Sequence, residues 1–298
     1  MNEVNSIVFY NEGHNGDVHY SREFVKYITK NIPIPYTYNI RCDESILKNS
    51  NIVVNKENCK NILHKYRQEE IVYFEKEKIL LINAWIGSSN AKFIWENEAG
   101  CSLTANFNKY SQIFNKLNIK ILNPVDYIPE MSWENCDTDQ IDNFLQNYFL
   151  EKTILICNGP VKSGQSENID LNPIVEKLAN LNPKVLFILT DSERKINKNN
   201  VVYTSDIIKI NGSDLNEIAY IGTKSDIIVG RASGPFCFCH NKATLFDPTK
   251  TFLAFTYYKN DGLWALPEQL PEKKAKQVWS NKFDFDSVCD TINKELNQ

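Results

Sequence analysis

"INGSDLNEIAYIGTKSDIIVGRASGPFCFC" (residues 210–239) is the stretch from which the fold is read. Its first part, "SDLNEIAYIGTK", carries apolar residues at helical spacing, and "DIIVG" follows as an unbroken apolar run. A run with no polar alternation reads as a strand covered on both faces, as in a parallel sheet packed between helices. That strand enters Gly230-Arg231-Ala232-Ser233-Gly234-Pro235, where glycine lets the backbone turn tightly or approach a ligand closely.

The same alternation extends outward. Upstream lie strand "TILICNGP", helix "NPIVEKLANL", strands "KVLFILTD" and "NVVYTSD", and the short run "IIKI". Downstream come strand "TFLAFTYY" and a closing helix "FDSVCDTINKEL". The amino half is mixed. It offers strand "SIVFYN", a helix over 17–31, strands "YTYNIR" and "NIVVN", and two strands about a charged turn at Glu75–Glu77. A helix over 107–117, a strand at "IKILNP" and a helix over 138–150 follow. A chain of 298 residues accommodates two domains. The expected division is 1–150 and 151–298, each an α/β domain. In such sheets ligands sit beyond the carboxyl ends of the strands, which singles out loops 11–17, 159–167, 190–194 and 230–240.

Composition narrows the function classes. The net charge is −4, all of it in residues 1–150, where 15 basic residues face 19 acidic ones. A nucleic-acid binder shows a basic excess, so no nucleic-acid partner is expected. The apolar runs are strand-sized and far below the ~20 residues of a membrane span. The start "MNEVNSIVFYNEG" has no signal-peptide pattern, so a cytoplasmic location is expected. Eight scattered cysteines do not form a disulfide framework, and "CFCH" (237–240) lacks the second ligand pair that a zinc site needs, so it reads as a buried strand end and no metal is expected.

Five loops carry candidate chemistry. "NGPVKSGQSEN" (158–168) offers Lys162, Ser163, Gln165 and Ser166 before a helix, a set that suits a phosphate but equally a polar surface loop. In "GRASGP", Arg231 can neutralise phosphate charge and Ser233 can donate to an oxygen beside Gly234; the alternative is a tight turn with a solvated arginine. "NEGHNGDVHYSREF" (11–24) sets His14, Gly16, Asp17 and His19 behind the first strand. Asp17 there is a helix N-cap or a reaction centre. "NAWIGSSN" (83–90) adds Trp85 and Ser88, an aromatic face with hydroxyls that suits a sugar, or a core tryptophan. "NDGLWALP" (260–267) is a donor-sugar loop or ordinary packing, and His64 reads as surface.

The sequence resembles the heptosyltransferase-like glycosyltransferases of GT-B architecture. The resemblance rests on "GSDLNEIAYI", on Ser233-Gly234-Pro235 and on Gly16-Asp17-Val18 before the first helix. It departs at Ala232, where the family has aspartate, and at Cys237, where it has histidine. The resemblance implies two Rossmann-like domains, an interdomain cleft and a C-terminal helix packing back toward the first domain. The first domain would bind acceptor and the second a nucleotide-sugar donor. It further implies Asp17 as general base, with His14 and His19 as assistants or alternatives. Lys162, Ser163, Gln165, Ser166, Arg231, Ser233 and Gly234 would line the donor, and Gly16, Trp85 and Ser88 the acceptor. The implied reaction is inverting, metal-independent transfer of a hexosyl or heptosyl group to an oligosaccharide or lipid-linked glycan acceptor in bacterial surface-glycan assembly. Peripheral contact with the inner membrane face would go with a lipid-linked acceptor. A nucleotide-sugar epimerase of the same fold and a non-catalytic nucleotide-binding module are the alternatives.

Overall fold

The computed structural model describes residues 4–55, 65–66, 68–85, 87, 102–148, 150–210, 212–262 and 270–298. The chain divides into two compact units, Met1–Ser132 and Trp133–Gln298. The division falls earlier than residue 150 because the helix Thr138–Gln146 packs with the second unit. Gln140 donates to the Ile207 carbonyl at 2.6 Å, and Tyr220 and Lys224 both hydrogen-bond the Asp142 carboxylate.

In the first unit, β1 (Ser6–Asn11) is flanked by β2 (Tyr36–Ile40) and β5 (Ile79–Asn83), and the sheet order is β3-β2-β1-β5-β4. β3 is Val54–Asn55 and β4 is Ile71–Phe74. All pairings are parallel except β4–β5, a hairpin closed by the charged turn 75–78 with Lys78 at φ 53°. The helix expected over 17–31 is two helices, α1 (Asn15–Tyr20) and α2 (Arg22–Asn31), joined at Ser21. α2 ends before Pro33, which has no N–H to continue it. α3 (Ser102–Leu117) covers the sheet, and its Tyr110 ring stacks on Phe24 with centroids 3.9 Å apart.

The strand expected at "IKILNP" is absent. Asn118 adopts φ 56° and ends α3, and the Ile119 N–H donates to the Phe114 carbonyl, so the chain leaves with its apolar side chains half-exposed. A 3-10 turn at Pro124–Tyr127 follows. "IIKI" also forms no strand, because Ile207 closes a helical turn (Thr204–Ile207) and the Ile208 N–H bonds back to Thr204.

The second unit is one parallel sheet of six strands in the order β11-β10-β9-β6-β7-β8. They are β6 (Lys152–Ile156), β7 (Val185–Leu189), β8 (Val201–Tyr203), β9 (Ile227–Gly230), β10 (Thr251–Phe255) and β11 (Lys276–Ser280). Numbered within the unit this is the 3-2-1-4-5-6 order of a doubly wound Rossmann sheet. α4 (Thr138–Gln146) enters it, and α5 (Asn172–Leu181), α6 (Leu215–Lys224) and α7 (Gly234–Cys239) connect its strands. Short helical turns lie at Lys242–Leu245 and Lys259–Gly262. The closing helix α8 (Phe285–Leu296) starts at Asp284, whose carboxylate caps the Ser287 N–H at 2.9 Å. Its stripe Val288, Cys289, Ile292 and Leu296 is buried in this unit's own core beside α5 residues such as Ile174 and Leu178.

"CFCH" belongs to α7 and its carboxyl cap, not to a strand end. His240 is buried between Phe252, stacked at 4.8 Å, and Phe236, edge-on at 4.7 Å. Burial pushes its imidazole pKa down to about 3. Between that value and the ordinary ~6.5 the unfolded chain binds the extra proton, so stability falls as pH drops through this window. The urea midpoint of the wild type is expected to decline from pH 6.5 downward, and His240→Leu to flatten that decline. Equal slopes in the two proteins would contradict this reading.

Candidate active site

In each unit the switch point of the strand order lies beside the central strand: β1 against β5 in the first, β6 against β9 in the second. Ligands of doubly wound sheets bind beyond the carboxyl ends of those strands. All the described candidate residues come from the loops at these two places or from the helices those loops enter.

In the first unit Asn11, the last residue of β1, organises the loop after it. Its Oδ1 accepts from the Gly13 N–H at 2.8 Å, while its Nδ2 donates to the Asp17 carbonyl at 3.2 Å and to the Tyr38 hydroxyl at 3.1 Å. Asp17 is not the N-cap. His14 holds that position, and the Asp17 carboxylate, one turn in, accepts the His14 N–H at 2.8 Å. A Cβ on Gly13 would lie 2.4 Å from the Asp17 Cβ, so only glycine lets the carboxylate sit against the loop. Gly16 occupies the first turn of α1.

Burial pushes the Asp17 carboxyl above the usual range, opposed by the His14 N–H and by a hydrogen bond from the Trp85 side chain. Trp85, from the turn after β5, thus meets Asp17, as candidates on two adjacent strands should. His14 is exposed, and its Nδ1 lies 3.0 Å from the Arg41 guanidinium. Since arginine only donates, that nitrogen is the acceptor of the pair. His19 is fully buried against the Tyr20 ring and is withdrawn from solvent. Ser88 and His64 lie outside the described residues, as do residues 263–267 of the second tryptophan loop.

Sequence reasoning missed Lys109. It is 2 % exposed, its Nζ donates to the Trp85 carbonyl, and burial, partly offset by Glu70 and Asp17, lowers its amine pKa to about 7. The signal was spacing: Lys109 follows Asn106 by three and precedes Ile113 by four, within the buried stripe of α3. A cavity of about 530 Å³ also opens on this unit, lined by Lys26, Lys30, Tyr36, Asn51 and Glu130. It lies by the amino end of β2 and includes none of the candidates.

In the second unit Gly230 ends β9, and a Cβ there would lie 2.4 Å from the Phe236 ring. Arg231 follows, 2 % exposed. Its two terminal nitrogens donate to four carbonyls: Asn158 and Gly159, both at 2.8 Å, Ile169 at 3.1 Å and Glu167 at 3.2 Å. It is neither a solvated arginine nor presented outward. It bolts the 158–169 loop onto β9. Ser166 does likewise at the next strand, donating to the Phe255 carbonyl at 2.8 Å. Lys162 and Ser163 are exposed on that loop, and the Ser163 hydroxyl bonds the Gln165 side chain at 2.6 Å. Ser233 caps α7 from a buried position, and Gly234 opens the helix. Ser233 and Arg231 are thus both near the switch point; the Ser233 hydroxyl and the Arg231 Nε have no hydrogen-bond partner, while the two terminal nitrogens of Arg231 are committed to the loop carbonyls. Among the described residues no group of three or more His, Cys, Asp or Glu side chains could hold a metal ion. No described helix is long and apolar enough to cross a membrane.

No protein-family model and no curated protein matches the sequence. Solved structures do match over nearly the whole chain. A glycosyl transferase family 9 protein from Veillonella parvula has a TM-score of 0.51 at 13 % identity, covering 100 % of this chain and 91 % of that one. The ADP-heptose LPS heptosyltransferase II of E. coli has a TM-score of 0.53 at 10 % identity, covering 98 % and 99 %. S. aureus MnaA in a co-structure with UDP has a TM-score of 0.53 at 10 % identity, covering 99 % and 88 %. The chain has the GT-B, heptosyltransferase-like fold that its sequence resembles, built from two Rossmann-like units.

Proposed function

We propose that this protein is a glycosyltransferase that moves a sugar from a nucleotide-diphosphate sugar to a carbohydrate hydroxyl. The observation that carries the reading is Asp17. It is a carboxylate at the carboxyl end of the central strand, with a proton affinity raised by burial, in a chain of this fold. Glycosyl transfer needs a base for the acceptor hydroxyl and charge stabilisation for the departing diphosphate. Asp17 takes the acceptor proton, with Trp85 offering an aromatic face to the sugar. In the second unit the exposed Lys162 supplies a positive charge, and the Ser233 hydroxyl and the first turn of α7 supply donors to phosphate oxygens. Arg231 acts behind them by fixing the loop.

The finer reading is an inverting single displacement without a metal, on a hexosyl or heptosyl donor and an oligosaccharide or lipid-linked acceptor, in bacterial surface-glycan assembly at the cytoplasmic face. Heptosyltransferase II and the UDP complex among the structural neighbours support a nucleotide-linked donor. An epimerase of the same fold is the second reading. Incubation with ADP-, GDP- and UDP-sugars, with and without a glycan acceptor extract, separates the two. Transfer requires acceptor for release of nucleoside diphosphate; change of the sugar without acceptor would favour the epimerase.

A further inference from the structure

The cavity of about 530 Å³ in the first unit takes no part in the reaction as proposed. It lies between the carboxyl half of α2, the start of β2, the loop 49–51 and the segment 130–132. Tyr36, which lines it, pairs with Ile7, whereas Ile40 pairs with Asn11, where the Asp17 loop begins. Four residues of strand at ~3.3 Å each therefore set it about 13 Å from that loop along the sheet.

Its walls are fixed by hydrogen bonds. The Tyr36 ring meets Phe9 edge-on at 6.1 Å, while its hydroxyl donates to the Asn51 carbonyl at 3.2 Å and accepts the Val53 N–H at 3.4 Å. Ser50 Oγ donates to the Leu47 carbonyl at 2.6 Å and accepts the Ile52 N–H at 3.3 Å, and Asn51 between them stands at φ 57°. On the other side Glu23 Oε1 accepts both the Lys26 ammonium at 3.1 Å and the Glu130 N–H at 3.0 Å. The Arg22 guanidinium donates to Met131 Sδ at 3.2 Å.

The lining decides the class of ligand. Apart from Met131 and the Tyr36 ring its side chains are polar, which does not suit an apolar molecule. Charge speaks against an anion. Lys26 is paired with Glu23, Lys30 shares the cavity with Glu130, and Lys30 stands in the last turn of α2, at the negative end of the helix dipole. The Lys30 ammonium and the Asn51 amide are exposed, with no side-chain partner among the described residues. The ammonium donates and the amide both donates and accepts, as the hydroxyls of a sugar require. A fixed tyrosine ring beside them suits the C–H face of a pyranose.

We propose that this cavity is a second saccharide site, taking an uncharged glycan segment at the end of the sheet away from Asp17. Its part in transfer, as an anchor for the glycan acceptor, rests on the reading of the protein as a glycosyltransferase; the binding itself does not.

The chain has two methionines, Met1 and Met131, so full-length protein carrying carbon-13 in its methionine methyls places an NMR reporter in the cavity wall. The Met131 signal is assigned by its loss in Met131→Leu. The titrants are maltose, cellobiose, lactose and N,N′-diacetylchitobiose, with inorganic phosphate as the anionic control. A saturable shift of the Met131 signal with at least one disaccharide, in the millimolar range, is expected, and none with phosphate at the same concentration. Asn51→Gly keeps the positive φ and removes the amide; it and Lys30→Ala should each weaken the Kd by about 5-fold, the worth of about one hydrogen bond. No shift with any disaccharide, a stronger response to phosphate, or an unchanged Kd in both variants overturns the proposal. The wild-type titration alone decides if the variants do not fold. If Met131 responds while no nucleotide or nucleotide sugar raises the Tm, the saccharide site stands and the transferase reading falls. If nucleotides bind and the Met131 signal is still, only the saccharide site is lost.

Discussion

Asp17→Asn is expected to lower the rate of sugar transfer by about 10²–10⁴-fold, the usual worth of a general base. Its effect on folding should be small. The asparagine Oδ1 can still accept the His14 N–H that the carboxylate now accepts, so the start of α1 is retained. The folded protein already disfavours the charged form of this side chain, so a neutral replacement gives up little stability. Nucleotide affinity should stay within a few-fold, since the expected phosphate donors belong to the second unit. The check is a paired measurement of kcat and of nucleotide Kd in the same preparation. A variant that transfers sugar at the wild-type rate would reduce Asp17 to a capping residue.

The second large effect is expected at Arg231. Truncation to alanine leaves the carbonyls of Asn158, Gly159 and Ile169 without their side-chain donor, the Glu167 carbonyl keeping the Ser166 hydroxyl, and each buried unsatisfied carbonyl costs ~1–3 kcal/mol. Solvent entering the loop recovers part of that sum, so a loss of about 3–5 kcal/mol is expected, comparable to breaking a buried charge network. For a domain of this size that is a fall in Tm of roughly 6–20 °C. Arg231→Lys should not rescue it, because three donors on one ammonium cannot reproduce the planar fork that spans four carbonyls. Denaturation followed by circular dichroism measures the loss directly. If Arg231→Ala keeps its Tm and instead loses only nucleotide affinity, the guanidinium is a phosphate ligand and not a loop bolt.

These two residues also mark what the sequence discloses. Asp17 was legible because its neighbours are unusual: two glycines and a polar cluster directly behind an apolar strand. The parallel sheet of the second unit was legible from runs such as "TILIC" and "KVLFILT", buried on both faces. Arg231 was legible as important but not in its role, since a guanidinium reads the same whether it meets phosphate or carbonyls. Lys109 was hidden by chemistry, because a lysine in an amphipathic helix normally faces water. β11 was hidden by composition, since "KQVWS" at a sheet edge has few purely apolar residues. "IKILNP" misled in the other direction, its apolar run being cut off by the left-handed Asn118 before any strand partner is reached. The early division of the chain followed from polar contacts of α4 with Ile207, Tyr220 and Lys224, which leave no trace in hydrophobic spacing.

Binding of a nucleotide diphosphate tests the central claim most directly. The full chain would be melted with ADP, GDP, UDP, CDP and dTDP and their sugars, with and without EDTA. A ligand at 100 times its Kd stabilises by about 2.7 kcal/mol, a rise of roughly 5–10 °C. A rise confined to one base and unaffected by EDTA is the expected result, and it names the donor. No rise with any of them would contradict a nucleotide-sugar enzyme and return Asp17 to the start of a helix.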